Sequence, residues 1–323
     1  MSTVTVTSGA RLHFGFQNLA LAHERLYGSI GVGVEEPRVI VEATPGDELA
    51  VEDDLIRRYA RRSIDLLDVP GATVRVRQQL PRHVGLGSGT QLALATHAAI
   101  ARAYDLDPDV RSAAPTLGRA GRSGVGVATF ETGGFVLDGG HPTDRFTTEP
   151  PADGRWTVPP VLAHHRVPDA WRFVLVIPEA PRGKSGPEED RSIREVVEHA
   201  DAGIADEISA VTTRRLLPAL VTDDVDAFGT ALETVGRLNG CWYADEQGGT
   251  FRPPAGDLVS ELSASPAVEG AGQSSWGPAV YALTDADRID RARADAESAL
   301  EALDVDGDVL VTRADDRGAT VSR

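Results

Sequence analysis

The chain has 323 residues and a formal net charge of −17, with 49 acidic residues against 32 basic ones. This length predicts two domains or one large one, and an apolar content of 41% is enough for a packed core. Such an acidic surface disfavours binding to nucleic acid and to anionic membranes. The sequence has no run of about 18 apolar residues to span a bilayer, and residues 1–10 lack a basic, apolar leader. We therefore expect a cytoplasmic protein without a nucleic-acid or membrane partner.

Cysteine and lysine are nearly absent from the chain. Cys241 is the only cysteine, which excludes an intramolecular disulfide and a cysteine-cluster metal site. Lys184 is the only lysine, and all the other basic residues are arginines. High acidity with so little lysine is typical of halophilic proteins, because about 1 M salt shortens the Debye length to about 3 Å and weakens self-repulsion. A high-GC genome, which also replaces lysine with arginine, is the alternative explanation.

Apolar spacing predicts the secondary structure along the chain. We predict strands at 4–7, 39–42, 74–77, 133–138, 172–177 and 309–312. Helices are predicted at 54–67, 91–104, about 189–218, 223–238 and 285–303, and Gly-rich loops at 81–90 and 270–277. The stretch 139–170 is rich in Pro, Asp, Gly and His, so we expect it to join a domain 1–165 to a domain 166–323. Strands and helices interleave without strict βαβ alternation, which favours an α+β fold.

A glycine-rich loop follows the third predicted strand and opens a helix. It reads Leu-Pro-Arg-His-Val-Gly-Leu-Gly-Ser-Gly-Thr-Gln from position 80 to 91. Glycines expose successive backbone N–H groups, and the positive end of the helix adds to them, so this order favours a phosphate site. The loop lacks the Gly-Lys-Ser/Thr of the common P-loop and the glycine spacing of dinucleotide sites. A capped helix start after a flexible turn is the alternative. The predicted phosphate-binding residues in this loop are Gly85, Gly87, Ser88, Gly89, Thr90 and Gln91.

Residues 81–93 resemble the phosphate-binding loop of the GHMP kinases, where Pro and three variable residues precede Gly-Leu-Gly-Ser-Ser-Ala. Here Gly-Thr-Gln at 89–91 replaces the second Ser and the Ala, a reading more similar to the beta-ribofuranosylaminobenzene 5'-phosphate synthase family of that superfamily. Segments 11–19, 121–135 and 270–278 resemble the other motifs of the same family, in the same order. The resemblance implies a two-domain α+β GHMP fold. Its N-terminal half is ribosomal-protein-like, its C-terminal half is ferredoxin-like, and the active site lies in the cleft between them.

The resemblance also bears on the choice between synthase and kinase. Many GHMP kinases carry a Ser-Gly-X-Asp-Asn-Ala segment whose Asp orients or deprotonates the attacking hydroxyl. The matching run here is 123–128, and Gly126 stands where the Asp would be. Because glycine takes no proton, the kinase carboxylate is missing, unless Glu131 replaces it from five residues further on. An ATP-dependent small-molecule kinase and a catalytically inactive nucleotide-binding protein therefore stay as alternatives.

The synthase family joins phosphoribosyl pyrophosphate to 4-aminobenzoate or 4-hydroxybenzoate and releases pyrophosphate and carbon dioxide. The product leads towards methanopterin-type pterins, and no organic cofactor is implied. We expect Mg²⁺ to bind through the substrate pyrophosphate, because this ion usually uses substrate phosphates and few carboxylates. The protein ligands of the metal are not indicated by the sequence. The family also suggests a homodimer.

Site residues follow from the motifs that carry the resemblance. The expected catalytic residues are Arg11, His13, Arg122 and Glu131. Arginine binds carboxylate or phosphate through two parallel bonds, and Arg119 lies beside the same motif, although a surface arginine is the ordinary alternative. Lys184 is a further candidate for a phosphate. The expected substrate-binding residues are Asn18, Ser123, Gln273, Ser274, Ser275 and Trp276, the last of them for the benzoate ring.

Overall fold

The computed structural model describes residues 3–146, 154–181 and 187–323. Its strands are β1 Val4–Asn18, β2 Arg25–Pro45, β3 Ala72–Gln78, β4 Phe135–Asp138, β5 His141–Pro142, β6 Val161–His165, β7 Trp171–Pro178, β8 Gly270–Gln273, β9 Val280–Asp285, β10 Gly307–Thr312 and β11 Thr320–Ser322. Its α-helices are α1 Asp54–Leu67, α2 Ser88–Ala103, α3 Val110–Ala113, α4 Val125–Thr132, α5 Pro187–His199, α6 Ala202–Val211, α7 Leu217–Val221, α8 Val225–Gln247, α9 Ala255–Ser263 and α10 Ile289–Ala302. A 3₁₀ turn covers Thr143–Arg145, and a π-helical segment, Thr212–Leu216, joins α6 to α7.

The larger of two sheets is built on a long hairpin of β1 and β2. Its strand order is β11-β1-β2-β4-β6, and β3 and β5 also pair with β2. Buried and half-buried residues alternate along the first half of β1, because successive side chains of a strand point to opposite faces. Helix α2 packs against β1 and β2, and its residues 91–101 are all buried. The start of α2 is therefore held firmly by the core.

The smaller sheet has the antiparallel order β10-β7-β9-β8. A separate apolar cluster, which includes Val174, Leu258, Ala282 and Leu300, packs this sheet against α9 and α10. Helix α8 contacts β8 of this sheet and β1 of the larger one. The two sheets are thus joined by a shared helix, and the expected α+β architecture is confirmed.

Three sequence predictions need correction in detail. The helix expected at 189–218 is interrupted at 200–201, because the Asp201 side chain accepts a 2.8 Å bond from the Gly203 amide and starts α6. The stretch 139–170 contains β5 and β6, and β6 pairs with β4, so it is not wholly a connection. Residues 270–273 of the second predicted loop form β8, since their backbone pairs with β9. The domain boundary at 165/166 stays a prediction, and β11, from the C-terminal end, pairs with β1.

None of the helices in the described ranges combines the length and apolar character needed to cross a bilayer.

Candidate active site in an arginine-lined cleft

A cleft of about 950 Å³ opens over the start of α2. Its walls come from the β1–β2 hairpin, the 79–90 loop, the 117–123 turn, the start of α5 and the 275–277 turn. Distant parts of the chain therefore meet at the loop that the sequence marked as a phosphate site.

Two glycines give the loop its path. Gly85 has φ +95° and Gly87 has φ +77°, which is a left-handed conformation that side chains disfavour. A Cβ at Gly85 would lie 2.0 Å from the carbonyl oxygen of Ser274, so no larger residue fits there. Helix α2 begins directly after Gly87, and Ser88, Gly89 and Thr90 line the cleft at its positive end. This arrangement can bind an anion through backbone amides and two hydroxyl groups.

Arg11 lies against the loop. Its Nη1 donates a 2.5 Å bond to the carbonyl oxygen of Gly85, and its backbone amide donates to Leu86. A Cβ at Gly87 would lie 2.8 Å from the Arg11 side chain, so the arginine fills the space beside the glycine. Burial lowers the pKa of Arg11 to about 10, which leaves the guanidinium charged at neutral pH.

The turn after β8 is joined to the loop and to β1. Ser274 Oγ donates a 2.8 Å bond to the carbonyl oxygen of Gly85 and accepts a 3.1 Å bond from the His13 amide. The Ser275 amide donates to the carbonyl oxygen of His13. Burial, with the Arg11 charge nearby, lowers the pKa of His13 well below its usual value, so its imidazole is neutral at neutral pH.

Arg122 is paired with two carboxylates from α5. Its nitrogens lie 3.2 Å from a Glu189 oxygen and 2.7 Å from an Asp190 oxygen. Burial by itself lowers the pKa of Arg122, but the two carboxylates outweigh it and the pKa is raised. A substrate carboxylate or phosphate at Arg122 must therefore compete with these two side chains.

Arg119 lies at the opposite side of the loop. Its guanidinium stacks on the Tyr59 ring at 5.2 Å and donates to the Tyr59 hydroxyl. A Cβ built on Gly89 would lie 3.0 Å from Arg119 Nη1, so this arginine borders the start of α2. Arg119 Nε is buried and has no hydrogen-bond partner among the described residues.

Positive charge dominates the described lining of the cleft. Two carboxylates, Glu189 and Asp190, face eight arginines: Arg11, Arg58, Arg62, Arg82, Arg119, Arg122, Arg155 and Arg194. The chain as a whole carries −17, so the cleft has the opposite sign to the protein around it. A cleft lined by one sign of charge concentrates ligands of the other sign, here polyanions.

Aromatic rings line the cleft beside the 13–16 segment of β1 and the 275–277 turn, which together are called the aromatic end. His13 and Phe16 stand edge to face at 4.9 Å, Phe16 lies 5.6 Å from Tyr27, and Trp276 lies 4.7 Å from Tyr243. Behind them a recess of about 40 Å³ opens, with His13, Phe16, Ser275 and Trp276 shared between recess and cleft. The site thus has an anion-binding part and an aromatic part.

Comparison with known proteins agrees with this geometry. Residues 53–134 match the family of GHMP kinases N terminal domains. Beta-ribofuranosylphenol 5'-phosphate synthase of Methanothermobacter thermautotrophicus is 31% identical, over 97% of this chain and 97% of the relative. The synthase of the same name from Archaeoglobus fulgidus is 32% identical over the same shares. The chain belongs to this synthase family.

Solved structures show the same fold. Homoserine kinase from Cytophaga hutchinsonii superposes with a TM-score of 0.67 at 16% identity, over 100% of this chain and 98% of the kinase. Methanococcus jannaschii mevalonate kinase gives 0.68 at 14% identity, over 97% and 99%. The GHMP fold and the synthase branch expected from the motifs are both confirmed, and the branch is a family of enzymes.

Most of the residues predicted for the synthase site do meet in one place. The cleft is lined by Arg11, His13, Gly85, Gly87, Ser88, Gly89, Thr90, Arg122, Ser123, Ser275 and Trp276. Gln273 lines the adjoining recess, where its side chain donates 2.8 Å to the Ser275 carbonyl and accepts from the Arg252 amide. Ser274 lies buried just beneath, as the link between the loop and β1.

Three predicted residues of the synthase site are placed differently. Gln91 is buried and joins Ser8 to the Gly126 carbonyl. Asn18 binds the backbone of Ala20 and Arg25 inside the β1–β2 hairpin. Glu131 pairs with Arg111 at 2.5 Å. The structure brings none of these three into the lining of the cleft. Lys184 lies outside the described residues.

Sequence reasoning missed several residues that the structure adds to the site. Arg58 and Arg62 of α1 lie one helical turn apart, and both line the cleft, so their spacing was an available signal. Tyr27 and Tyr243 lie outside the four motifs that carried the resemblance, so no sequence signal marked them. Glu189 and Asp190 looked like ordinary charges at the start of a helix.

Asp138 is a further buried acid close to the site. It accepts bonds of 2.8 Å from the Gly124 amide and 2.9 Å from the Gly140 amide, and thereby fixes the turn that leads from Arg122 into α4. Burial raises the pKa of Asp138 to about 6, although the bonds from these amides act in the opposite direction and lower it. It supports the turn and does not line the cleft.

Proposed function

We propose that the chain transfers the phosphoribosyl group of phosphoribosyl pyrophosphate to 4-hydroxybenzoate, with loss of carbon dioxide and pyrophosphate. The product is a ribofuranosyl-phenol 5'-phosphate, a precursor of methanopterin-type pterins. The observation that carries the proposal is the cationic cleft at the start of α2 in an acidic chain. Its relatives are named for a ribofuranosylphenol 5'-phosphate, which favours the hydroxylated acceptor over 4-aminobenzoate.

Phosphoribosyl pyrophosphate, a polyanion, matches the positive charge of the cleft lining. It carries phosphate at both ends, and eight arginines line the described cleft. The amides at the start of α2, with Ser88 and Thr90, suit the pyrophosphate because they donate to oxygens where charge develops on departure. Arg11 beneath the loop and Arg119 beside Gly89 add fixed positive charge there.

The proposed reaction balances without an outside oxidant or base. The bond from the ribose anomeric carbon to pyrophosphate breaks, and its electron pair leaves with the pyrophosphate. The ring carbon that bears the carboxylate forms a bond to the anomeric carbon. The bond to the carboxylate then breaks as carbon dioxide, and its electron pair restores the aromatic ring. The phenol oxygen supplies electrons to the ring, so no organic cofactor is needed.

Mg²⁺ is the metal that the proposal implies. The described residues contain no group of three or more His, Cys, Asp or Glu side chains placed to hold a metal ion. Glu189 and Asp190 are the acidic residues in the described lining of the cleft. One or two carboxylates completed by substrate oxygens are the usual magnesium set, so these residues fit. When bound, the ion would neutralise charge on the pyrophosphate oxygens.

Residues of this chain then take separate proposed roles. Arg122 pairs with the acceptor carboxylate through its planar fork, in exchange with its present partners. The neutral imidazole of His13 offers a hydrogen bond without adding charge at the aromatic end. Gly126 packs against Thr90, 3.1 Å from its methyl carbon to an added Cβ, so a larger residue there would require the Thr90 side chain to shift by a few tenths of an ångström. Because glycine offers no carboxylate to orient an acceptor hydroxyl, this position favours the synthase over the kinase alternative.

One assay tests the proposed function. The purified chain is incubated with phosphoribosyl pyrophosphate, Mg²⁺ and carboxyl-labelled 4-hydroxybenzoate or 4-aminobenzoate, and released carbon dioxide and pyrophosphate are counted. We expect equal amounts of both products, with 4-hydroxybenzoate the better acceptor. A parallel reaction with ATP and mevalonate or homoserine is expected to yield no ADP. Turnover of ATP without release of carbon dioxide would establish the kinase instead, and ligand binding without either reaction would indicate an inactive binding protein.

A further inference from the structure

The small recess at the aromatic end lies between α8, β1 and β8. It shares His13, Phe16, Ser275 and Trp276 with the lining of the cleft and has a volume of about 40 Å³. A water molecule takes about 30 Å³ of the liquid, so the recess has room for one polar substituent and the edge of a ring. A complete benzoate does not fit inside it.

Helix α8 presents a fixed face to this recess. Gly236, Asn239, Gly240 and Tyr243 recur at the three- and four-residue spacing of one helical face and all line the recess. Asn239 accepts a 2.7 Å bond from the Phe16 amide and donates a 3.1 Å bond to the Phe16 carbonyl. Helix and strand are thereby locked together, and Tyr243 is placed by them.

The hydroxyl of Tyr243 is the unusual feature of this face. Its oxygen is shielded from solvent, yet it has no hydrogen-bond partner in the part of the chain that the structure describes. A buried polar group left unpaired costs about 1–3 kcal/mol, and such groups in native proteins call for an explanation. Burial raises the pKa of Tyr243, so the hydroxyl stays protonated and can both donate and accept. Its ring is held by Trp276 at 4.7 Å.

We infer that Tyr243 selects the aromatic acceptor by a hydrogen bond to the substituent opposite its carboxylate. This inference rests on the proposed function. The ring edge enters the recess beside Phe16 and Trp276 and displaces the packing that covers the Tyr243 hydroxyl, so that the para hydroxyl reaches it. Because only that end fits the recess, the carboxylated carbon stays in the cleft, on the side of Arg122 and the phosphate loop. Tyr243 is thus a specificity residue for a para-hydroxylated aromatic acid.

The test is calorimetric titration of the intact chain with 4-hydroxybenzoate and with benzoate, which lacks the para group. Tyr243→Phe removes only the hydroxyl. We expect it to weaken 4-hydroxybenzoate binding about fivefold to tenfold, the effect of one hydrogen bond. Benzoate and phosphoribosyl pyrophosphate should bind the variant as they bind the wild type. The preference for 4-hydroxybenzoate over benzoate therefore shrinks in this variant.

Tyr281→Phe is the matched control. Tyr281 also carries a buried hydroxyl without a partner among the described residues, but it does not line the cleft or the recess. Its loss should leave all three affinities unchanged. Equal weakening of 4-hydroxybenzoate and benzoate in the Tyr243 variant, or no weakening of either, would overturn the inference. The former indicates a packing role for Tyr243, and the latter a hydroxyl that the bound acid does not reach.

The outcomes separate this inference from the proposed function. If the wild type releases carbon dioxide and the Tyr243→Phe variant keeps its full preference, only the role of Tyr243 is lost. If the wild type binds neither aromatic acid, both proposals fall together. The variant removes an unpaired buried polar atom, so its melting temperature should equal or exceed that of the wild type. Should it nevertheless unfold, Tyr243→Trp, which keeps an aromatic ring without the hydroxyl, must show the same loss of preference.

Discussion

Ser274 Oγ donates a 2.8 Å hydrogen bond to the carbonyl oxygen of Gly85, a residue 189 positions earlier in the chain. The same carbonyl accepts a bond of 2.5 Å from Arg11 Nη1. One backbone oxygen of the glycine-rich loop is therefore held from β1 and from the turn after β8 at once. Since a left-handed glycine is otherwise free to move, these two bonds give the loop its fixed path.

Replacing Ser274 by alanine removes the link between this turn and the loop, and also the acceptor of the His13 amide. We expect a loss of about 1–3 kcal/mol in the free energy of unfolding, because buried donors and acceptors lose their partner. Phosphoribosyl pyrophosphate binding should weaken as well. Urea unfolding and titration measure the two effects. Ser260→Ala, at an exposed serine that bonds only within α9, is the control and should change neither. Unaltered affinity in Ser274→Ala would separate this link from the site.

Ser88 and Thr90 supply the hydroxyl groups at the start of α2. The double change Ser88→Ala, Thr90→Ala should weaken phosphoribosyl pyrophosphate binding, at about 1.5–3 kcal/mol for each donor to a charged acceptor. Binding of benzoate should be unchanged, since the aromatic end is untouched. Titration of each ligand measures this. A folded double variant with wild-type affinity for the pyrophosphate substrate would exclude the loop from the site.

Arg122→Lys keeps the charge but loses the planar fork that bonds two oxygens at once. We expect kcat/KM to fall about thirtyfold, which corresponds to about 2 kcal/mol of transition-state stabilisation. If Arg122 binds the acceptor carboxylate, affinity for the aromatic acid falls and that for phosphoribosyl pyrophosphate holds. The reverse pattern would assign Arg122 to the 5'-phosphate.

Arg288→Lys is the control for this change, because Arg288 also pairs with two carboxylates, Glu269 and Asp285, but outside the cleft. It should lower stability without altering either affinity. If Arg122→Lys behaves in the same way, its role is structural and the binding role is wrong.

The raised pKa of Asp138 predicts that the free energy of unfolding depends on pH. Burial raises its pKa in the folded chain to about 6, above the value of an exposed aspartate, so folding favours the protonated form. The stabilisation is complete below about pH 4 and is lost as the pH rises through about 6. Relative to Asp138→Asn, the wild type should lose about 2–3 kcal/mol between pH 4 and pH 7. Chemical unfolding at a series of pH values measures it, and parallel profiles for the two proteins would contradict the prediction.

The charge of −17 predicts stabilisation by salt. Raising KCl from 0.1 M to 1 M shortens the Debye length from about 10 Å to about 3 Å and so weakens repulsion among the acidic side chains. We expect the melting temperature to rise over this range, and to rise less in a non-ionic osmolyte of equal osmolality. An equal rise in both would show that screening is not the cause.

Local pattern was enough to predict the glycine-rich loop and the helix that follows it, because a glycine path and the amides at a helix start depend on neighbours in sequence. The same holds for α1, which begins and ends where its apolar spacing indicated. The four motifs also identified the family, and eleven of the predicted residues line one cleft.

Other features depended on tertiary packing, because they join residues that are far apart in the chain. Arg122 meets its carboxylates 67 and 68 positions away. Gln91 stands in the phosphate motif, yet its amide is used by Ser8 and Gly126. Tyr243 lines the recess on a helix that Asn239 joins to β1 through the Phe16 backbone. The partner of a side chain is set by the elements that pack around it. Local residue spacing does not encode which distant elements those are.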